Sequence, residues 1–293
     1  MDLDLRKLRY FVAVAEELHF GRAADRLHIA QPVLSRQIRA LEDELGAQLF
    51  VRTKRSTEPT PAGRQLLDDA RPLLAAADAT RRRVTRAARG AKTFTIGFMP
   101  GLTVTDAVQA FRASHPGIEV ELLRTTWDDQ IDVLHDGRAD VSIVRLPIDQ
   151  AGLTVRPLFE EPRVAMLPAA HRLAGKPALD ITDLADEHLL QDPDAVPEWR
   201  DIAVELRTRT ARPVPVMRSV EEKLEHVAAG RGVAIIPLSV AAFYRRPDVV
   251  AIPVDNLGPN TVCLAWVATR RSRLLHEFAA LATTADWTQR RTR

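Results

Sequence analysis

The stretch AQPVLSRQIRALE, residues 30–42, sets the strongest local constraint on the fold. Leu34, Ile38 and Leu41 recur at gaps of four and three, which places them on one face of an α-helix. Proline is tolerated in the first helical turn, where backbone N–H groups lack intrahelical partners, so we predict a helix that begins at Gln31 or Pro32. The opposite face carries amide, hydroxyl and guanidinium groups: Gln31, Ser35, Arg36 and Arg39.

Two further helical patterns precede this one. Apolar residues at positions 5–18 follow the helical period, and GRAADRLHI predicts a short helix with small side chains, Ala23 and Ala24, at its middle. Small side chains allow helices to approach closely. This arrangement is typical of a helix-turn-helix, whose last helix enters the major groove of DNA.

Residues 20–63, FGRAADRLHIAQPVLSRQIRALEDELGAQLFVRTKRSTEPTPAG, resemble the signature of LysR-type transcriptional regulators. The matched features are the Ala-Ala pair, Gln-Pro, Ser-x-x-Ile, Leu-Glu-x-x-Leu-Gly, Leu-Phe-x-Arg and Thr-Pro-Ala-Gly. The resemblance implies a winged helix-turn-helix within residues 1–60, with its central motif at about 20–39. The helix residues expected at DNA are Gln31, Pro32, Ser35, Arg36 and Arg39.

The chemistry of these side chains agrees with that role. Gln31 can donate to and accept from an adenine edge, Arg36 and Arg39 can contact guanine or a phosphate, and Ser35 can bond a phosphate oxygen. We expect a two-stranded wing after the helix, with phosphate contacts from Arg52, Lys54 and Arg55. The alternative for these three cations is a solvated basic turn.

Three positions depart from the family pattern. Pro59 stands where leucine is usual, and Ala30 and Gly21 stand where serine or threonine is frequent. Because proline cannot donate to a strand ladder, we expect the returning wing strand to be short or at an edge.

A long helix is predicted next, over residues 61–90. Thr60-Pro61 is a helix start, and a heptad seam follows it, with Pro72 inside the segment as a candidate kink. We interpret the seam as the interface of a homodimer; packing of the helix on its own domain is the alternative. The seam consists of Leu66, Ala70, Leu73, Ala77, Thr80, Val84 and Ala87.

The remainder, residues 91–293, alternates short apolar runs with helical segments, which indicates an α/β fold with parallel sheets. TFTIGF, IEVELL and ADVSIV are the predicted strands of a first lobe, and RVAMLP, HLLQD, VPVMR and VAIIP those of a second. We assign residues 91–162 and 267–293 to the first lobe and 163–266 to the second, with TVCLAWVA crossing back. The resemblance implies a two-lobed effector-binding domain like periplasmic binding proteins.

Ligands of α/β sheets lie beyond the carboxyl ends of the strands, so we predict an effector cleft there. Helix starts expected at Thr103 and Ser219 suit a carboxylate or another anion. Arg124 and Arg145 either add positive charge to the cleft or lie outside it. The residues expected to line the cleft are Pro100, Gly101, Thr103, Thr125, Thr126, Ile148, Gln191 and Ser219.

Other function classes find little support. No phosphate-binding GK[ST] loop, Gly-x-Ser-x-Gly elbow or paired metal spacing of histidines occurs, so we expect no enzyme, no metal and no cofactor. The formal charge of +2 is too small to indicate a partner by itself. Cys263 lies in an apolar run, and we expect a buried structural thiol rather than a redox sensor.

The sequence therefore predicts a cytoplasmic regulator with no membrane contact. It would bind a dyad-like promoter site in double-stranded DNA under the control of a small-molecule effector. The resemblance implies a homodimer or homotetramer and allows contact with RNA polymerase. A plain small-molecule carrier, or a repressor with a vestigial cleft, are the alternatives.

Overall fold

The computed structural model describes residues 3–52, 56–88, 92–202, 217, 219–285 and 287. The chain divides into two compact units. The first contains residues 1–89 and 135–138, and the second contains residues 90–134 and 139–293. None of the helices in the described ranges is long and apolar enough to cross a membrane.

The first unit is built around the predicted amphipathic helix. That helix begins at Gln31, holds Pro32 in its first turn and ends at Gly46, whose φ of 63° is left-handed. Leu34, Ile38 and Leu41 are at most 1% exposed, so the predicted buried face is confirmed. The elements of the unit are α1 (Leu5–Glu17), α2 (Phe20–Arg26), α3 (Gln31–Leu45), β1 (Phe50–Arg52), β2 (Thr57–Pro59) and α4 (Pro61–Ala88).

The long helix α4 begins as predicted. The Thr60 hydroxyl accepts a hydrogen bond from the Gly63 backbone N–H at 3.0 Å, and Pro72 lies inside the helix without ending it. Of the predicted seam, Leu66 and Ala70 pack into the core of their own unit, whereas Leu73 and Val84 are exposed. The start of the seam is thus used within the unit, and its later part is available to a partner.

Gly63 lies where the wing meets α4. A Cβ at this position would stand 2.2 Å from the Leu49 carbonyl oxygen, which itself accepts the Thr60 backbone N–H at 2.9 Å. Steric hindrance therefore explains why glycine occupies this position of the Thr-Pro-Ala-Gly segment. Only a residue without a Cβ lets α4 approach the wing this closely.

We expect Gly63→Ala to destabilise the first unit by about 1–3 kcal/mol, because an added methyl group meets backbone that cannot turn aside. Hydrogen–deuterium exchange of peptides from residues 5–60 measures this loss. Ala62→Ser, at the exposed neighbouring position, is the control. Equal protection in the two variants would contradict the steric role of Gly63.

The second unit has two lobes, and the first is a five-stranded sheet in the order β4-β3-β5-β10-β6. The parallel pairing of β3 with β4 and β5 confirms the prediction, and β10 returns antiparallel between β5 and β6. Strand β6 was not predicted. The strands are β3 (Thr93–Phe98), β4 (Glu119–Arg124), β5 (Val141–Arg145), β6 (Leu153–Glu161) and β10 (Asn260–Val267).

Helices cover both faces of this sheet. One face packs on α5 (Thr105–Ser114) and α10 (Arg273–Thr284), so α10 lies on the first lobe, to which residues 267–293 were assigned. The short α6 (Asp132–His135) and the buried Cys263 belong to the apolar cluster of the other face. Burial raises the pKa of the Cys263 thiol, which agrees with a structural role.

The second lobe corrects the predicted sheet. Its strands β7 (Arg163–Pro168), β8 (Ala234–Pro237) and β9 (Val249–Pro253) are antiparallel, in the order β8-β7-β9. HLLQD forms only an isolated bridge, and VPVMR lies almost entirely outside the described residues. The lobe also contains the helices α7 (Pro197–Arg200), α8 (Val220–Ala228) and α9 (Leu238–Phe243).

The return to the first lobe is earlier than predicted. Because β10 already begins at Asn260, the second lobe ends before that residue rather than at 266.

Candidate DNA-binding face and effector cleft

The outward face of α3 matches the predicted set. Gln31, Pro32, Arg36 and Arg39 are exposed, and Ser35 is half-buried. Close packing with α2 positions this face, since Ala23 and Ala24 are at most 2% exposed and Leu34 is fully buried. The N-cap residue Ala30 offers no side-chain acceptor to the first turn of α3.

Charge pairing separates these arginines from their neighbours. Arg26 lies 2.8 Å from the Glu16 carboxylate, and Arg22 lies 3.5 Å from that of Glu17. Within the described part of the chain, neither Arg36 nor Arg39 has an acidic partner or a hydrogen-bond acceptor. Their guanidinium groups are thus available to an external acceptor.

Arg52 stands differently from the other predicted phosphate contacts. Its Nη2 lies 2.8 Å from Glu42 Oε2, and its guanidinium lies 4.7 Å from the centre of the Phe20 ring. This arginine already has a carboxylate and an aromatic partner inside the unit. Lys54 and Arg55 lie outside the described residues.

Glu42 is a residue whose role the sequence did not suggest. Besides Arg52, its carboxylate accepts the backbone N–H groups of Leu49 at 2.9 Å and Phe50 at 3.3 Å. It thereby ties the end of α3 to the first wing strand. Arg52 is then part of a connection that orients the wing, in addition to any contact with DNA.

The structure brings several predicted cleft residues to the junction of the two lobes. The Pro100 carbonyl accepts a hydrogen bond from Arg145, and a Cβ on Gly101 would stand 2.8 Å from the Val240 backbone of the second lobe. With a φ of 78°, Gly101 also has a left-handed backbone that favours glycine. Gly101 therefore packs against the second lobe, whereas Pro100 contacts Arg145 of its own lobe.

The threonines after β4 are already engaged or buried. Thr125 is fully buried, and its hydroxyl has no hydrogen-bond partner in the described residues. The Thr126 backbone N–H and hydroxyl both donate to Asp129 Oδ1, at 2.7 and 3.0 Å.

The other four predicted cleft residues lie in four different environments. Thr103 is exposed, but α5 begins at Thr105 with Val104 as its N-cap, so the predicted helix start at Thr103 is wrong. Ser219 caps α8 as predicted, accepting the Glu222 backbone N–H at 3.1 Å. Gln191 Oε1 accepts the Ile235 backbone N–H at 3.0 Å. Ile148 packs on the apolar cluster behind the five-stranded sheet rather than facing a cleft.

Arg145 belongs to a buried network that the sequence did not reveal. It is 1% exposed, and its Nε donates to Glu161 Oε1 at 2.9 Å. Its other nitrogens donate to the Pro100 carbonyl at 2.9 Å and to the Ser239 hydroxyl of the second lobe at 3.0 Å. Burial lowers the pKa of Arg145, and the attraction of Glu161 opposes that effect.

Glu161 completes this connection between the lobes. The carboxylate, itself 1% exposed, also accepts the Ser239 backbone N–H at 3.3 Å. Gln130 accepts the Arg145 backbone N–H at 2.9 Å. The charge pair therefore holds the ends of β5 and β6 together and attaches α9 to them.

Comparison with protein families matches this division of the chain. Residues 5–64 match the bacterial regulatory helix-turn-helix of the lysR family, and residues 87–286 match the LysR substrate binding domain. The chain belongs to the LysR family of transcriptional regulators. It is thus a DNA-binding regulator with a C-terminal effector-binding domain. Members of this family are transcriptional regulators and not enzymes.

Individual relatives extend over nearly the whole chain. The regulator IlvR of Caulobacter vibrioides is 37% identical over 96% of this chain and 98% of its own length. The uncharacterised regulator YnfL of Escherichia coli is 38% identical over 82% of this chain and 84% of its own. The solved full-length CbnR in complex with its target DNA is 27% identical, covers 96% of this chain and 98% of its own, and has a TM-score of 0.51.

Among the side chains of the described ranges, no three His, Cys, Asp or Glu residues could hold a metal ion together.

We expect Glu161→Ala to lower the free energy of unfolding of the second unit by about 3–5 kcal/mol, because Arg145 keeps a buried charge without its carboxylate. Urea denaturation followed by tryptophan fluorescence reports on this unit, since Trp127, Trp199, Trp266 and Trp287 all belong to it. Glu119→Ala removes an exposed carboxylate of the same lobe and is the control. A loss no larger than that of the control would contradict the role of the buried pair.

Proposed function

We propose that α3 reads a dyad-like promoter site through Gln31, Ser35, Arg36 and Arg39. The observation that carries this proposal is the contrast in charge pairing. Arg22 and Arg26 are neutralised by carboxylates of α1, whereas Arg36 and Arg39 have no partner in the described residues. Side chains that stay unpaired on the face of a recognition helix are suited to bases and phosphates.

The four side chains supply different contacts in this proposal. Arg36 and Arg39 donate to guanine or to phosphate, Gln31 pairs with an adenine edge, and Ser35 bonds a phosphate oxygen. Pro32 contributes shape at the start of the helix, where it fixes the backbone and removes one N–H group. Arg52, Lys54 and Arg55 add phosphate contacts from the wing, with Arg52 also held by Glu42.

We further propose that two copies associate through α4. The exposed Leu73 and Val84, 45% and 64% exposed, provide an apolar seam on a helix otherwise rich in charge. A dimer would present two recognition helices to successive faces of the major groove. Assembly into a tetramer and contact with RNA polymerase are further parts of this proposal.

For the effector, we propose a small molecule held between the lobes, with its charge recognised on the wall of the first lobe. The start of α8 is less suited to an anion than its sequence indicated, because Glu221 and Glu222 lie in its first turn. Helix α5 begins without a side-chain cap, so N–H groups of its first turn are free for an acceptor.

Footprinting of the DNA upstream of its own gene, at physiological salt, tests the proposed regulator. We expect a protected site with dyad-like symmetry. Binding that is only non-specific and salt-sensitive would contradict recognition of this site by α3.

We expect Arg36→Ala to lose about 1–3 kcal/mol of discrimination between the protected site and single-base variants, if Arg36 forms a bidentate contact with guanine. Competition binding at fixed salt measures this loss. Arg22→Ala, which removes an exposed arginine already paired with Glu17, is the matched control. Unchanged base preference in Arg36→Ala would exclude the base contact.

We expect Arg55→Ala to weaken binding to all sequences alike and to reduce the slope of log affinity against log salt by about one, because it removes one phosphate contact. A salt titration with specific and non-specific duplexes measures the slope. The same slope as the unaltered protein would remove Arg55 from the phosphate contacts.

A further inference from the structure

The two lobes of the second unit meet at an exposed polar contact as well as at the buried Arg145 network. Arg124, the last residue of β4 in the first lobe, lies 3.3 Å through its Nη2 from the Tyr244 hydroxyl of the second lobe. The same Nη2 lies 3.7 Å from Glu221 Oε2 in the first turn of α8. One guanidinium therefore contacts two elements of the opposite lobe.

The groups on the second lobe are held in place for this contact. The backbone N–H of Glu221 lowers the pKa of its carboxylate, and the Ser219 and Tyr244 hydroxyls and the charge of Arg124 act in the same direction, against the effect of burial. Tyr244 packs edge-on against Phe243, with ring centres 5.0 Å apart. The anionic partner of Arg124 is thus positioned before the lobes meet.

Another charge lies beside this contact. Burial lowers the pKa of the Lys223 ammonium group on α8, and the attraction of Asp128, in the loop after β4, opposes that effect. The segment of residues 124–128 therefore lies near the first turn of α8, and Arg124 provides the direct contact. The predicted cleft residues Thr125, Thr126 and Ser219 belong to these same segments.

The chain connects the lobes on the side of the buried pair. Pro162 alone separates β6 of the first lobe from β7 of the second, directly after Glu161. A second crossing runs from Pro253 to Asn260. Short crossings beside a fully buried contact are typical of a hinge. Tyr244 follows α9, which belongs to that buried contact, but Arg124 on β4 and Glu221 on α8 do not, and their exposed contact is the part that can separate.

We propose that Arg124, Tyr244 and Glu221 form a latch that holds the lobes of the effector-binding domain closed and must open for the lobes to separate. Side-chain exposures of 50% for Arg124 and 55% for Glu221 make the latch weak and sensitive to salt. A weak latch suits this place, because a small molecule can then shift the balance between open and closed lobes. The proposal does not depend on which DNA or which effector the protein binds.

Distances between spin labels on the two lobes test the proposal in the full-length protein without DNA or effector. Asp132→Cys on α6 and Ala229→Cys after α8 are exposed labelling sites, and the native Cys263 is fully buried. Labelled protein is diluted with unlabelled protein, so that distances within one copy dominate. Arg124→Ala and Tyr244→Phe are compared with Arg112→Ala, an exposed arginine elsewhere on the first lobe.

We expect Arg124→Ala to raise the ratio of long to short distances by about two- to fivefold, as for the loss of an exposed ion pair, and Tyr244→Phe to raise it less. Added salt should have the same effect on the unaltered protein and little effect on Arg124→Ala. A distance distribution in Arg124→Ala equal to that of Arg112→Ala would overturn the latch. So would a salt response that persists in full in Arg124→Ala.

Discussion

A guanidinium group removed from water must find acceptors for its N–H groups, and at Arg145 no single element provides enough of them. The acceptors come from the end of β6, from the loop after β3 and from α9 of the other lobe. Meeting this requirement brings three separate parts of the second unit together. The burial of one side chain thus contributes to holding the two lobes together.

The first unit carries many arginines on a small surface. Some of their guanidinium groups must stay unpaired to bind an anionic partner. Carboxylates on α1 and α3 neutralise the arginines of α2 and the wing strand, whereas no carboxylate among the described residues forms an ion pair with Arg36 or Arg39. In the proposed complex, the positions of the carboxylate side chains decide where DNA is recognised as much as the positions of the arginines do.

Local signals made the first unit predictable from sequence. Pro32 and Gly46 mark the ends of α3, and the spacing of its apolar residues determines the buried face. The same signals located β3, β4 and β5. They failed for β6, which contains Pro157 and has a register shift opposite Val262 and Cys263, so its pattern does not resemble a regular strand.

The contacts that sequence could not reveal are those between residues distant in the chain. Glu161 lies 16 residues from Arg145, and Ser239 lies 94 residues from it. No periodicity relates such positions, because folding of the intervening chain alone brings them together. The effector-binding domain was therefore predicted in outline, while the contacts that join its lobes were not.

Ala30 has a consequence for the energetics of recognition. A helix start without a side-chain acceptor leaves N–H groups of α3 to water in the free protein. A phosphate oxygen at the same turn would act as the missing cap, so the helix would gain its last stabilising contact from its target. A serine or asparagine in place of Ala30 would cap this turn in the isolated protein. The stabilisation that the helix gains on binding would then be smaller.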